Sequence, residues 1–213
     1  MCTNFTPTRK AEWAKQSLGV DLPSADYPAE TYPCYAAPIV VRGHESGRVA
    51  CGLARFGLIP AWAKDNKIGR HTYNARSETA TTKPSYRTAW QRRQYGIVLL
   101  DDFFEPNYET GRAVKWRIQL VSSQPMGIAC LWDRWTDPAS GERVVSFTML
   151  TTNADTHPVM RQFHAAADEK RTPVVLAEDQ YADWLAATPE QAAVFMNWAH
   201  MPELRAAPAI TLS

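Results

Sequence analysis

Residue 2 of this chain is a cysteine behind an initiator methionine. Methionine is usually removed ahead of a small residue, which would leave Cys2 as the N-terminus. An N-terminal cysteine carries a thiol and a free α-amine on adjacent carbons. The amine titrates near pH ~8 and the thiol near ~8.5, so both supply nucleophile at neutral pH. Together they can capture an aldehyde: the amine forms a Schiff base, and the thiolate closes a five-membered thiazolidine. No internal cysteine can do this. Taken alone, position 2 reads equally as a frayed terminus with an accidental cysteine.

Three further places carry polar side chains beside structured runs. Asn74-Ala75-Arg76-Ser77-Glu78 holds an amide that could orient a carbonyl or amine and a guanidinium that could hold phosphate. Read alone, it also fits an ordinary turn with a surface ion pair. Glu105 follows an apolar run and two phenylalanines. A partly desolvated carboxyl there would have a raised pKa and could shuttle protons, whereas a solvated loop glutamate would do nothing. His164 follows Phe163 and could exchange a proton near neutral pH, or be structural.

The four cysteines form no CxxC pair and no ligand spacing with the five histidines. No zinc or other metal is expected. HExxH, GxSxG and phosphate-cradling glycine-rich motifs are missing, and no cofactor is implied. There is no signal-like N-terminus and no apolar run near ~18 residues, so a cytoplasmic protein with reduced thiols is expected, without membrane association.

The elements that must position these groups read as follows. With 213 residues and 45% hydrophobic content, one domain spanning 1–213 is expected. A helix is predicted to start at Thr6-Pro7 and stop at Gly19. Strands are predicted at 39–43, 49–56, 96–100, 116–121, 127–132, 144–152 and 173–176, with a closing strand at 209–212. Residues 21–38 read as loop with one short strand, and 57–78 as a long irregular loop. Short helices are expected at 85–93, 155–162, 178–185 and 189–195, the last opening on Thr188-Pro189-Glu190. The fold class is α+β: a largely antiparallel, barrel-like sheet with flanking helices.

A net charge of +1 hides an asymmetry. Residues 55–93 hold nine basic side chains against Asp65 and Glu78, while the rest of the chain holds 14 basic and 20 acidic. Such a block, which includes Arg70, Lys83 and Arg87, fits a phosphate-binding face or a plain solvated surface. Eight tryptophans leave room for base-stacking platforms, although most belong in a core.

The order of these features along the chain resembles the SOS-response-associated peptidase (SRAP) family. Cys2, the PAW of 60–62, NARSET at 74–79, a strand running into FFE, and FH…RTPVV carry the resemblance, which spans roughly 2–176. It implies a compact α+β domain around a barrel-like sheet with a positive cleft. Cys2 matches the family nucleophile, Asn74 the asparagine beside it, and Glu105 and His164 the proton-transfer pair. Arg76 and Glu78 match the residues after that asparagine, and Phe56-Gly57, Pro60 and Trp62 the wedge loop near DNA. The chain departs at Thr3-Asn4, where members read Gly-Arg, at Ala36 for an asparagine, at Pro106 for a tryptophan, and in the longer connection after His164.

The expectation is a monomeric abasic-site sensor, nucleoid-associated on damage. It binds single-stranded DNA and cross-links to the lesion through Cys2, with some strand cleavage by β-elimination. The peptidase label would correspond to removal of Met1. Two rivals are a cysteine peptidase or amidohydrolase using Cys2, and a non-covalent single-stranded DNA-binding module in which Cys2 is incidental.

Overall fold

In the computed structural model, residues 2–165 and 167–209 are described. Strand β1 (Asn4–Pro7) precedes helix α1 (Ala11–Leu18), then β2 (Ala36–Arg42), β3 (Val49–Phe56), β4 (Asn74–Arg76), α2 (Ser77–Ala80) and α3 (Arg87–Gln91). The long strand β5 (Tyr95–Asn107) leads to β6 (Val114–Leu120), β7 (Met126–Thr136), β8 (Arg143–Asn153), β9 (Arg171–Pro173) and β10 (Val175–Leu176). Helices α4 (Tyr181–Ala186) and α5 (Pro189–Val194) and strand β11 (Leu204–Pro208) complete the described chain.

Five strands close a barrel. β2 pairs with β3 and β5, β5 with β7, and β7 with β8, all antiparallel, while a parallel β3–β8 contact shuts the ring. The run Ile97-Val98-Leu99-Leu100 shows why the sequence folds this way. Its alternate side chains serve two cores, as strands covered on both faces require. Val98 and Leu100 pack inward with Ile39, Phe56, Ile128 and Phe147. Ile97 and Leu99 pack outward with Trp13, Trp90 and Trp184 under the helices.

Two strands outrun the barrel, and because β5 and β8 point the same way they do so at the same mouth. The last residues of β5 (103–107) pair with β6, and its flank carries β1 with Asn4 opposite Phe104. The last residues of β8 carry β4 on one side and β9 on the other. Anything placed on β1, β4, β9 or the ends of β5 and β8 therefore gathers in one region.

Several expected elements are corrected. Thr6-Pro7 belongs to β1, and the helix begins at Ala11. Thr6 hydrogen-bonds the Asp102 carboxylate at 2.6 Å instead of capping a helix, while Pro7 falls at a register shift, where its missing N–H is tolerated. Gly19 does end α1, with φ 67° and its N–H on the Lys15 carbonyl. Residues 57–78 hold a 3-10 turn (Asn66–Arg70), β4 and the start of α2. Of the helix expected at 155–162 only the turn Met160–Gln162 forms. The capping box at Thr188 and Gln191 is present. The closing strand expected at 209–212 lies largely outside the described residues, and β11 precedes it.

Candidate active site

Cys2 lies just before β1. The β1–β5 register, carried two residues back from Asn4–Phe104, brings it beside Glu105 and Pro106. Its side chain is fully buried. Burial first, and then the neighbouring Glu105 charge, push its thiol well above the usual range. Asn74, the first residue of β4, donates its side-chain N–H to the Cys2 carbonyl at 2.7 Å. The amide therefore fixes the main chain of the residue whose amine and thiol would react. Tyr86 Oη holds the Asn74 carbonyl at 3.1 Å, seating β4.

Glu105 lies two residues from the end of β5, in the part that outruns the barrel, and is 1% exposed. Burial pushes its carboxyl from near 4.5 up to about 7. His164 Nε2 lies 3.6 Å from Glu105 Oε2. Burial lowers the imidazole to about 4. Both groups thus lean toward their neutral forms near pH 6, so the contact is not a fixed ion pair there. His164 has φ 66°, a conformation disfavoured for a non-glycine residue. Its N–H bonds the Pro106 carbonyl at 3.1 Å, and the Phe163–Asn107 bridge holds the preceding residue on β5.

The structure brings Cys2, Asn74, Glu105 and His164 together. Arg76, at the exposed end of β4, meets Glu169 at 2.6 Å. Glu78 is engaged by Arg171 at 2.8 and 3.0 Å. Phe56 is fully buried and stacks on Phe147, so it anchors the wedge loop from inside and does not present its ring to solvent. Pro60 is buried as well. Gly57 is required: with φ 116°, a Cβ would stand 2.1 Å from the Gly69 carbonyl oxygen. Trp62 is 58% exposed, its indole N–H on the Pro84 carbonyl at 3.2 Å, which ties the wedge loop to the segment carrying Lys83 and Arg87. Arg70, Lys83 and Arg87 are all exposed.

Sequence reasoning missed Arg171 and Tyr73. Arg171 is 2% exposed and opens a strand that is buried throughout. A guanidinium there must have partners, and that was the available signal. Tyr73 precedes Asn74, and after burial the charges of Cys2 and Glu105 raise its phenol, placing it within electrostatic reach of both. Among the described residues, no cluster of three His, Cys, Asp or Glu could hold a metal, and no helix is long and apolar enough to cross a membrane.

A family model described as SOS response associated peptidase (SRAP) matches residues 1–211. The chain belongs to the SRAP family. Among SRAP relatives, it is 31% identical over 192 residues to the abasic site processing protein YoqW of Bacillus subtilis, covering 87% of this chain and 80% of that one. It is 27% identical over 155 residues to the abasic site processing protein HMCES of Xenopus tropicalis, covering 63% of this chain and 44% of that one. A crystal structure from Bordetella bronchiseptica superposes with a TM-score of 0.87 at 33% identity, over 99% of this chain and 100% of that one. A Bacteroides thetaiotaomicron structure at 19% identity shares the fold with a TM-score of 0.78. The SRAP barrel expected from sequence is the observed fold, with the parallel β3–β8 closure added.

Proposed function

We propose that this SRAP protein processes abasic sites in single-stranded DNA by forming a thiazolidine between Cys2 and the open-chain deoxyribose. The reading rests above all on Cys2, its carbonyl held by Asn74, lying beside a carboxyl whose proton affinity sits near neutrality. Relatives named as abasic site processing proteins support the substrate class.

The chemistry starts once Met1 has been hydrolysed away. Glu105, as carboxylate, takes a proton from the Cys2 ammonium, and the freed amine adds to the C1′ aldehyde. Loss of hydroxide from the carbinolamine, protonated by the Glu105–His164 pair, gives the imine and water. The Cys2 sulfur then adds to the same carbon and its proton passes to the imine nitrogen. The balance is one aldehyde and one aminothiol converted to one thiazolidine and one water. A neighbour that exchanges protons near pH 7 suits both directions of transfer. The exposed Arg70, Lys83 and Arg87, with Arg76 and the Trp62 ring, would guide the strand through phosphate contacts and stacking.

The test uses protein whose Met1 removal has been verified by mass. It is mixed with a single-stranded oligonucleotide carrying one abasic site and run on a denaturing gel. The expected product is a band shifted by one protein mass, present only with the abasic site and lost in Cys2→Ala. No shifted band, with binding retained on a native gel, would replace this reading with a non-covalent binding module. Cleavage of a peptide reporter without DNA would instead favour an amide hydrolase.

A further inference from the structure

Arg76 and Arg171 face each other across one carboxylate. Glu169 Oε2 lies 2.6 Å from Arg76 Nη1, and Glu169 Oε1 lies 2.6 Å from Arg171 Nη1. One oxygen to each of two guanidiniums is also how the two non-bridging oxygens of a phosphodiester are held by paired arginines. Glu169 comes from the connection between His164 and β9.

The two arginines depend on Glu169 to different degrees. Arg171 is held without it: Glu78 takes both Nη atoms, and the Thr151 carbonyl accepts from Nη2 at 2.7 Å. Arg171 would thus stay in place if Glu169 swung away. The backbone next to Glu169 is also fixed independently. Lys170 N–H bonds Asp155, its carbonyl accepts from Ala154, and its ammonium holds the His164 and Ala165 carbonyls. Release therefore requires rotation of one side chain, 36% exposed, and no movement of the connection.

We propose that Glu169 is a built-in stand-in for a DNA backbone phosphate, occupying an anion position between Arg76 and Arg171 that a phosphodiester of the single strand takes by displacing it. This rests on the DNA-binding reading above. It makes Glu169 a specificity-determining residue. A single strand that places a phosphate there wins the position, and weak or misplaced anions lose to the internal carboxylate.

The experiment is fluorescence anisotropy with an undamaged single-stranded oligonucleotide, so that cross-linking does not enter. It compares wild type, Glu169→Gln, Arg76→Ala and the double variant across a salt series, each first checked by thermal melting. Glu169→Gln is expected to bind roughly threefold to tenfold more tightly, with a log–log salt slope steeper by about 0.7, one more phosphate on a single strand. The gain should vanish in the double variant. Glu169→Asp, too short to reach both arginines, should show part of it and serves if Glu169→Gln folds poorly. Equal or weaker binding by the Glu169 variants, while Arg76→Ala weakens binding, would overturn the stand-in role and leave the DNA reading intact. A gain that persists without Arg76 would also overturn it, since general repulsion would suffice. Loss of binding in every protein, wild type included, would overturn the DNA reading and this inference with it.

Discussion

Glu105 concentrates the consequences of burial in one carboxyl. Its pKa, raised to about 7 by desolvation, places the switch between carboxylate and acid within the working range. In the proposed mechanism it frees the Cys2 amine as the carboxylate, so the cross-linking rate should rise with pH through about 7. Glu105→Gln should slow cross-linking about 100-fold and leave only a limb near ~8 from the amine itself, measured by single-turnover gels across pH. The same shift bears on stability. A carboxyl with a folded pKa above its unfolded value of 4.5 contributes stability fully below 4.5, and loses it as pH rises through about 7. The melting temperature of Glu105→Gln relative to wild type should therefore improve between pH 5 and pH 8. An unchanged difference across that range would mean that Glu105 titrates normally. Of the site residues, Cys2, Asn74, Glu105 and His164 could be picked from sequence by type and order. Their meeting could not, because His164 reaches Glu105 through contacts far apart in sequence, the Phe163–Asn107 bridge and the His164 N–H on the Pro106 carbonyl. Arg171 escaped because an arginine in a short strand has no meaning until burial is known and Glu78 and Thr151 are seen around it.

At the scale of elements, β3 and the wedge loop hinge on Gly57, where the chain leaves the barrel beside Gly69. Gly57→Ala should destabilise the protein by about 2 kcal/mol or more, because the added carbon meets backbone while φ is positive. Chemical denaturation would measure this, and a change under ~0.5 kcal/mol would contradict the close approach. The strand β3 was legible because turn residues bracket an apolar run on both sides. The start of α1 was not: Thr-Pro signals a helix N-terminus equally well as an edge strand whose proline needs no partner. Here the pairing of β1 with β5 decided between them. The irregular stretch 57–78 hid β4 because three residues have no period, and β4 forms only against β8.

At the scale of the whole molecule, a barrel-like sheet was expected from sequence, but the strand pairings that close it were not legible. The β5–β7 and parallel β3–β8 pairings join distant segments with no local signature. The barrel and its additions should differ in local stability. Hydrogen exchange should show β2, β5, β7 and β8 protected to the global limit, and β1 opening at lower free energy, since its four residues have one strand partner, β5, and on the other edge only the Phe5–Thr31 bridge. Equal protection of β1 and the barrel would contradict that division.

The short ladder of β1 also has a mechanical meaning. DNA attached through Cys2 would pull covalently on the protein at the end of β1. A motor hauling on that DNA would load the β1–β5 hydrogen bonds and the Asn74 clamp first, and would strip β1 before straining the barrel. The freed residues 2–7 would then act as a leash of at most about 20 Å, at ~3.4 Å per extended residue. The folded body would stay attached to the lesion as an intact obstacle, set back by the length of its own first strand.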